Sequence, residues 1–307
     1  MANPSLNGEA GDFGGTMKEE YLDYLEAVRG LSEHTRLAYR RDLDSWEAFL
    51  ANCGGHLAEA SPAQAGDFLR RLGRDGLSPR SVNRVLSCLR GFYRYLLRTG
   101  RAFSHPFAGI HSLKTPRRLP VFLFEKEIQA LLDEDGHGFQ PLRDRVLFEI
   151  LYSTGCRVSE VCALDLGTVV GKTRFPVTGK GNKTRTVFLT PSAKKALEAY
   201  LPARLSRLEA ADADAVKALL LNSKGQRLGV RGVQKIVGRA AARAGLVKAA
   251  TPHTLRHTFA THLSSEGMDV RVVQELLGHS RLETTQVYTH LSMDRLKDVM
   301  RAAHPHG

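Results

Sequence analysis

The sequence has few of the features that mark membrane, secreted or cysteine-stapled proteins. No apolar run approaches the roughly 20 residues that a bilayer crossing needs, and no signal peptide is recognisable. The four cysteines are scattered without C-x-x-C spacing, which argues against a disulfide framework and a cysteine zinc site. We therefore expect a cytoplasmic globular protein with reduced thiols.

Acidic residues are missing from residues 76–124, which carry only basic charges. A solvated helix face normally mixes the two signs, because opposite charges four residues apart are mildly stabilising. The whole chain has a formal net charge of +12. A long stretch of one sign in a basic chain favours a polyanionic partner that supplies the negative charge.

A helix is predicted within this basic stretch, beginning after Ser78-Pro79 and ending before Gly100. Its apolar residues recur at three- and four-residue intervals and define a buried face. The opposite face carries Arg80, Arg84, Arg90, Arg94 and Arg98. We interpret this face as one that follows DNA phosphates, and a merely solvated face is the alternative.

The pattern of the chain predicts two domains. Residues 1–16 are small, polar and glycine-rich, and we expect a disordered extension there. A helical domain follows over 17–103, then a linker rich in proline and basic residues over 104–120 and a second domain over 121–307. The second domain is helical except for two β-type runs within 173–190, which predict a hairpin. The predicted fold class is mainly α with a small antiparallel β-sheet.

The segment TPHTLRHTFATHL, residues 251–263, is predicted to be a helix with an arginine on its buried side. Thr251 can cap the helix and Pro252 suits its first position. Arg256 falls within the apolar stripe of Leu255, Phe259 and Leu263, and His253 lies at its edge. An arginine is always charged, so its burial requires an anion, either an internal carboxylate or one that arrives with a ligand.

Three further segments carry residues typical of a site. STGCRVSE presents Arg157 after an apolar helix, and GKGNK places Lys180 at a hairpin tip. LLGHSRLETTQVYTHL supplies His279 after a glycine and Tyr288 nine residues later. Each residue also has an ordinary structural interpretation: an ion pair of Arg157 with Glu160, a solvated turn lysine, a helix-capping histidine and a core tyrosine.

In combination, the order Arg…Lys…His-x-x-Arg…His…Tyr resembles that of the tyrosine recombinases of the phage integrase family. The four motifs TGCRVSE, GKGNK, HTLRHTFATHL and LLGHSRLETTQVYTHL are similar to those of the XerC/XerD branch. The resemblance extends over essentially the whole chain after residue 16. It implies an N-terminal SAM-like core-binding domain and a C-terminal catalytic domain.

The resemblance also implies a role for each motif residue. Tyr288 would attack a DNA phosphodiester and form a covalent 3′-phosphotyrosyl link, which conserves the bond energy without ATP. Arg157 and Arg256 would clamp the scissile phosphate with their planar guanidinium groups. Lys180 would protonate the leaving 5′-oxygen. His253 would assist removal of the proton from Tyr288, and His279 would donate a hydrogen bond to the phosphate. No cofactor and no divalent metal are then needed.

The partner implied by the resemblance is double-stranded DNA, held by a tetramer of identical or paralogous recombinases that acts through a Holliday junction. It further implies resolution of chromosome dimers, with a DNA translocase as a possible activator. The sequence does not distinguish this role from that of a mobile-element integrase.

Two alternatives come from other classes of protein. A non-catalytic DNA-binding regulator would keep the basic helix but has no use for Lys180 and Tyr288. A zinc hydrolase could use His253, His257 and His262, but Thr254 stands where such enzymes carry a glutamate base and no obvious third ligand pairs with the first two. Within the enzyme class, a type IB topoisomerase is a further alternative, which uses similar chemistry but usually has additional domains.

Overall fold

The computed structural model divides the chain into two compact units, Met1–Arg118 and Leu119–Gly307. This division falls inside the predicted linker. Across the described part of the chain, no helix is both long and apolar enough to cross a membrane. The structure describes residues 13–29, 31, 33–115, 121–133, 136–179, 183–211, 216–248 and 250–278.

Helices of the first unit pack around one aromatic core. Trp46 lies at its centre, fully buried, and its Nε1 donates a hydrogen bond to Tyr93 Oη at 2.9 Å. Tyr93 Oη in turn donates to the carbonyl oxygen of Leu57 at 2.8 Å. These bonds satisfy the polar side-chain atoms of Trp46 and Tyr93. The elements of this unit are α1 (Phe13–Arg29), α2 (Glu33–Asn52), a 3₁₀ turn (Leu57–Glu59), α3 (Pro62–Arg74) and α4 (Pro79–Arg98).

The N-terminal boundary differs from the predicted one. Helix α1 begins at Phe13, so residues 13–16 are helical and the prediction of an extension over 1–16 is wrong for them. Two adjacent glycines lower the helix propensity of this segment. Packing of α1 against α2 and α4 outweighs that preference, as it does for most protein helices. Residues 1–12 lie outside the described part.

The first half of the predicted linker belongs to the first unit. Phe107 is fully buried in the same core as Trp46. On α4, the Asn83 side chain donates to the carbonyl oxygen of Leu113 at 2.8 Å and accepts from its backbone N–H at 2.7 Å. These contacts fix residues 104–113 on α4, which their proline- and serine-containing composition does not reveal.

Helices of the second unit surround a larger apolar core, with one two-stranded sheet. Helix α6 packs against α9 and α11, and β1 pairs with β2 antiparallel with Val177 opposite Arg185. The elements are α5 (Glu125–Leu132), α6 (Phe139–Thr154), α7 (Val158–Ala163), α8 (Leu166–Val169), β1 (Arg174–Thr178), β2 (Thr184–Phe188), α9 (Pro191–Glu209), α10 (Val230–Arg243), α11 (Pro252–Ser265) and α12 (Val270–Leu277).

The elements that carry most of the predicted site residues are confirmed. The Ser78 hydroxyl caps α4 by accepting from the N–H of Ser81 at 3.2 Å. The Thr251 hydroxyl caps α11 by accepting from the N–H of Thr254 at 3.1 Å. The hairpin within 173–190 is confirmed as β1 and β2, and the fold class as mainly α with a small antiparallel sheet.

Candidate active site

Arg256 lies buried on α11, as predicted, with only 6% of its surface exposed. Its Nη1 donates to the carbonyl oxygen of Gly155 and its Nη2 to that of Leu277, both at 2.6 Å. Carbonyl oxygens satisfy the N–H groups but leave the charge uncompensated. Burial, followed by the charges of Arg157 and Arg185, lowers the pKa of Arg256 to about 10. The guanidinium still carries its charge at neutral pH.

Arg157 immediately precedes α7, and its side chain is about a third exposed (34%). Its Nη1 donates to Glu160 Oε1 at 2.9 Å, and its Nη2 contacts the carbonyl oxygen of Gly278 at 3.3 Å. The ion pair that the sequence left as an alternative is therefore present. Whether Arg157 is neutralised depends on what else binds Glu160.

Arg185 on β2 takes both carboxylate oxygens of Glu160, at 3.0 and 2.7 Å. Arg185 is not one of the motif residues to which the family resemblance gives a role. The sequence signal for Arg185 is the alternation of side chains along a strand. Arg185 stands two residues before the buried Val187, so both side chains lie on the core-facing side of β2. An arginine at a core-facing strand position requires an anion in the same way as Arg256.

The three arginines meet at the end of α12. Arg185, Arg256 and Arg157 donate to the consecutive carbonyl oxygens of residues 276–278, respectively. The last carbonyl groups of a helix have no partner within the helix and carry partial negative charge, so they suit cationic donors. Arg157 and Arg185 share the Glu160 carboxylate, and Arg256 contacts carbonyl oxygens only, so among the described residues this cluster has an excess of two positive charges.

Lys180 lies outside the described residues, but the residue before it is part of the cluster. A Cβ atom at Gly179 would lie 3.0 Å from Glu160 Oε1 and 3.2 Å from Arg157 Nη1. The Gly179 N–H donates to the carbonyl oxygen of Lys183 at 2.8 Å and closes the hairpin end. The chain therefore enters the Lys180 loop directly beside Arg157.

His253 lies on the first turn of α11, three residues before Arg256, and its side chain is exposed. Residues three apart on a helix lie on the same side, so His253 stands on the solvent side of the buried arginine. His279 follows Gly278 in the sequence. Both His279 and Tyr288 lie outside the described residues.

The zinc site considered from the sequence is not assembled in the described residues. His262 lies further along α11, where its Nδ1 is 2.7 Å from Tyr152 Oη. Within the described ranges, no three histidine, cysteine or acidic side chains stand close enough together to hold a metal ion.

The basic face of α4 is less uniform than predicted. Arg84 binds both carboxylate oxygens of Asp42, a buried residue of α2, so its charge is compensated inside the protein. Arg98 stacks on Tyr24, with its guanidinium carbon 4.6 Å from the ring centroid. Arg80 is exposed, and Arg90 and Arg94 line a cavity of about 480 Å³. DNA contact by these five arginines stays a prediction, and Arg84 has an internal partner that the local sequence does not reveal.

A second basic face, missed from the sequence, lies on α10. Four exposed basic residues recur at four-residue intervals on this helix, which contains no acidic residue: Arg231, Lys235, Arg239 and Arg243. The regular spacing and the lack of acids are the signal that could have found it.

Two family models match the chain, one on each unit. "Phage integrase, N-terminal SAM-like domain" matches residues 19–100, and "Phage integrase family" matches residues 121–295. The chain belongs to the phage integrase family. The second match covers all positions of the predicted catalytic motif, from Arg157 to Tyr288.

Several members of the phage integrase family are similar over nearly their full length. The tyrosine recombinase XerC of Treponema denticola is 36% identical, with 94% of this chain and 98% of the relative covered. XerC of Oceanobacillus iheyensis is 41% identical, with 94% and 95% covered. XerD of Lacticaseibacillus casei is 40% identical, with 94% and 98% covered.

Solved structures of the phage integrase family share the fold. The XerH site-specific recombinase bound to palindromic difH substrate has a TM-score of 0.67 at 23% identity, with 92% of this chain and 83% of that chain covered. The Tn1549 transposon integrase in complex with circular intermediate DNA has a TM-score of 0.67 at 20% identity, with 92% and 98% covered.

Proposed function

We propose that this chain is a site-specific tyrosine recombinase that cleaves and rejoins DNA strands through a covalent 3′-phosphotyrosyl intermediate. The observation that carries the proposal is the cluster of Arg157, Arg185 and Arg256, in which two guanidinium groups share one carboxylate and the third is held by backbone carbonyl oxygens alone. Such a cluster requires a further anion. A DNA phosphate is that anion in our proposal, which agrees with membership of the phage integrase family.

Each step of the reaction is assigned to a residue of the motif. The Tyr288 hydroxyl oxygen attacks the scissile phosphorus, and His253 assists removal of its proton. The bond from phosphorus to the 5′-oxygen breaks, and Lys180 gives that oxygen a proton. Arg157 and Arg256 stabilise the charge that develops on the non-bridging oxygens, with a hydrogen bond from His279. Attack of a 5′-hydroxyl on the phosphotyrosine reverses the sequence and rejoins the strand.

The DNA duplex is held by both basic faces in this proposal. Arg80, Arg90, Arg94 and Arg98 on α4 contact the duplex from the first unit, and the four basic residues of α10 contact it from the second. Arg84 contributes less, because Asp42 already compensates its charge. These contacts neutralise phosphates and do not by themselves select a DNA sequence.

We propose a tetramer of identical or paralogous chains that acts in the cytoplasm on chromosome dimers, with a DNA translocase as a possible activator. Relatives named XerC and XerD, matched over 94% of this chain, support the chromosomal role. The alternative, integration of a mobile element, draws on neighbours such as the Tn1549 integrase, whose likeness at 20% identity concerns the fold.

Trapping the covalent intermediate on genomic DNA tests the proposal. Wild-type protein is incubated with genomic fragments in EDTA and denatured, and the adducts are analysed by sequencing and mass spectrometry. We expect one DNA position, joined through its 3′-phosphate to Tyr288, and no adduct with Tyr288→Phe although that variant still binds DNA. Strand cleavage by Tyr288→Phe, or an adduct on another residue, would contradict the proposal. Loss of the adduct in EDTA would favour a metal-dependent enzyme.

A further inference from the structure

Glu160 is the one acidic side chain that the described residues place in direct contact with the arginine cluster, and it is almost completely buried, with 2% of its side chain exposed. Its two oxygens accept from Arg157 at 2.9 Å and from Arg185 at 3.0 and 2.7 Å. Its Oε2 also accepts from the backbone N–H of Arg157 at 2.8 Å. A carboxylate in this position would cancel the charge of Arg157 if it had no other partner.

We propose that Arg185 is a positioning residue that takes up the charge of Glu160, so that Arg157 keeps its own charge for the scissile phosphate. The inference rests on the proposed function, because the phosphate is the ligand of Arg157 there. Arg185 acts through Glu160 and Arg157 and is not itself assigned a contact with DNA.

The geometry distinguishes the two arginines by exposure and number of contacts. Arg185 engages both carboxylate oxygens and has 12% of its side chain exposed, whereas Arg157 gives Glu160 one guanidinium contact and has 34% exposed. A bidentate arginine–carboxylate pair is the stronger of the two arrangements. Glu160 is thus held by the arginine that points inward, and the second guanidinium remains accessible to a ligand.

The electrostatics agree with this division. Burial alone would raise the pKa of Glu160, but the hydrogen bonds from Arg185, and then those from Arg157, outweigh burial and hold the pKa below its ordinary value. Glu160 is therefore ionised at neutral pH and needs a full positive charge as a partner. Arg185 also fixes the end of α12 through the carbonyl oxygen of Leu276 at 2.9 Å, beside the carbonyl groups that hold Arg157 and Arg256.

The charge count predicts a ranking of variants that a purely structural role does not. The wild-type cluster has two net positive charges, Arg185→Gln leaves one, and Glu160→Gln leaves three. The double variant Arg185→Gln/Glu160→Gln returns to two. A purely structural role also allows the double variant to recover stability, because it no longer buries a carboxylate without its partner, but it does not predict that Glu160→Gln alone binds an anion more tightly than wild type.

The first test uses inorganic phosphate and requires no DNA site. Affinity is obtained from the rise in the midpoint of thermal unfolding with phosphate concentration. We expect Arg185→Gln to bind phosphate about tenfold more weakly than wild type, and Glu160→Gln to bind more tightly. The double variant should return to within about twofold of wild type, since its net charge is the same, and Arg185→Lys should bind better than Arg185→Gln.

Arg227→Gln is the matched control, because Arg227 also pairs with a carboxylate, that of Asp165, within the same unit. It removes one positive charge from the chain and should leave phosphate binding unchanged. A double variant that binds as weakly as Arg185→Gln would overturn the inference. If Arg185→Gln does not fold, the test compares phosphate binding by wild type, Glu160→Gln and the double variant. Equal binding by wild type and the double variant supports the inference, and weaker binding by the double variant overturns it.

The second test measures covalent adduct formation on a nicked duplex that carries the sequence at which wild-type protein is trapped. We expect Arg185→Gln to lower the rate at saturating DNA about tenfold with little change in DNA affinity, and the double variant to recover most of it. Recovery supports the inference, and its absence overturns it. If wild-type protein forms no adduct, the proposed function fails, while the phosphate ranking still decides the role of Arg185.

Discussion

Arg157 and Arg256 donate hydrogen bonds to adjacent backbone carbonyl oxygens, those of Gly278 and Leu277, although the two arginines are far apart in the sequence. The end of α12 therefore acts as a common support that brings both guanidinium groups to one place. Gly278 adopts a left-handed conformation (φ 66°) that ends the helix at this support. The arrangement shows how two remote segments, each carrying one arginine, form one cluster of guanidinium groups.

Gly155→Ala should destabilise the second unit by about 3 kcal/mol, from backbone strain combined with overpacking. Gly155 has a φ of +57°, and a Cβ atom there would lie 2.5 Å from Phe259 Cδ1. Its carbonyl oxygen also accepts from Arg256. Urea unfolding at neutral pH measures the change in free energy of unfolding.

Gly171→Ala is the matched control for this substitution, because its φ is +75° but no atom lies within 4 Å of the added Cβ. It should cost about 1 kcal/mol, from strain alone. Equal losses for the two variants would show that the contact with Phe259 does not contribute.

Arg84→Gln should reduce stability by about 2 kcal/mol at pH 7, because it leaves the buried Asp42 carboxylate without its partner. Burial already raises the pKa of Asp42 against the opposing effect of Arg84. Removing Arg84 raises it further, so the folded state binds a proton that the unfolded state releases. The loss of stability caused by Arg84→Gln should therefore grow as the pH rises above about 4, the pKa of an aspartate in the unfolded chain. It should shrink as the pH falls toward that value.

Arg80→Gln on the same helix serves as the comparison, since its side chain is exposed. It should change stability by less than about 0.5 kcal/mol at any pH between 4 and 7. Adding Asp42→Asn to Arg84→Gln should recover part of the loss at pH 7. A deficit independent of pH would mean that the ionisation of Asp42 is not its cause.

The two basic faces should each contribute to the salt dependence of DNA binding. Arg90→Gln/Arg94→Gln on α4 and Lys235→Gln/Arg239→Gln on α10 should each lower the slope of log affinity against log salt by about two. Fluorescence anisotropy with a labelled duplex, at salt concentrations from low to physiological, gives the slopes.

Arg70→Gln/Arg71→Gln on α3 is the control for this measurement, because both arginines already pair with acidic residues of the same unit, Asp67 and Asp75. Its slope should equal that of wild type. An unchanged slope in either test pair would show that the corresponding face does not contact phosphates.

Whether a contact can be predicted from the sequence depends on how far apart its two residues lie along the chain. The caps Ser78 and Thr251 stand directly before their helices, so α4 and α11 could be located from local chemistry. The pairing of Arg157 with Glu160 spans three residues, so the sequence alone presents it as an alternative to a free arginine. These features require no knowledge of the tertiary fold.

Long-range partners could not be predicted in this way. Arg185 meets Glu160 across 25 residues and the carbonyl oxygen of Leu276 across 91. Asp42 compensates Arg84 across 42 residues, so the absence of acidic residues near α4 in the sequence did not mean absence in space. Motif order predicts which residues act together, but the charge balance of the cluster follows only from the fold.

A double-mutant cycle on Arg157 and Arg256 tests the central claim most directly. The rate of covalent adduct formation is measured for Arg157→Lys, Arg256→Lys and the double variant on a nicked duplex, at saturating DNA. Each single substitution should slow the reaction about 100-fold or more, because lysine cannot reproduce the guanidinium fork. If both arginines clamp one phosphate, the double variant should be about as slow as the slower single variant. Two effects that multiply fully would contradict the claim that these residues act on the same phosphorus.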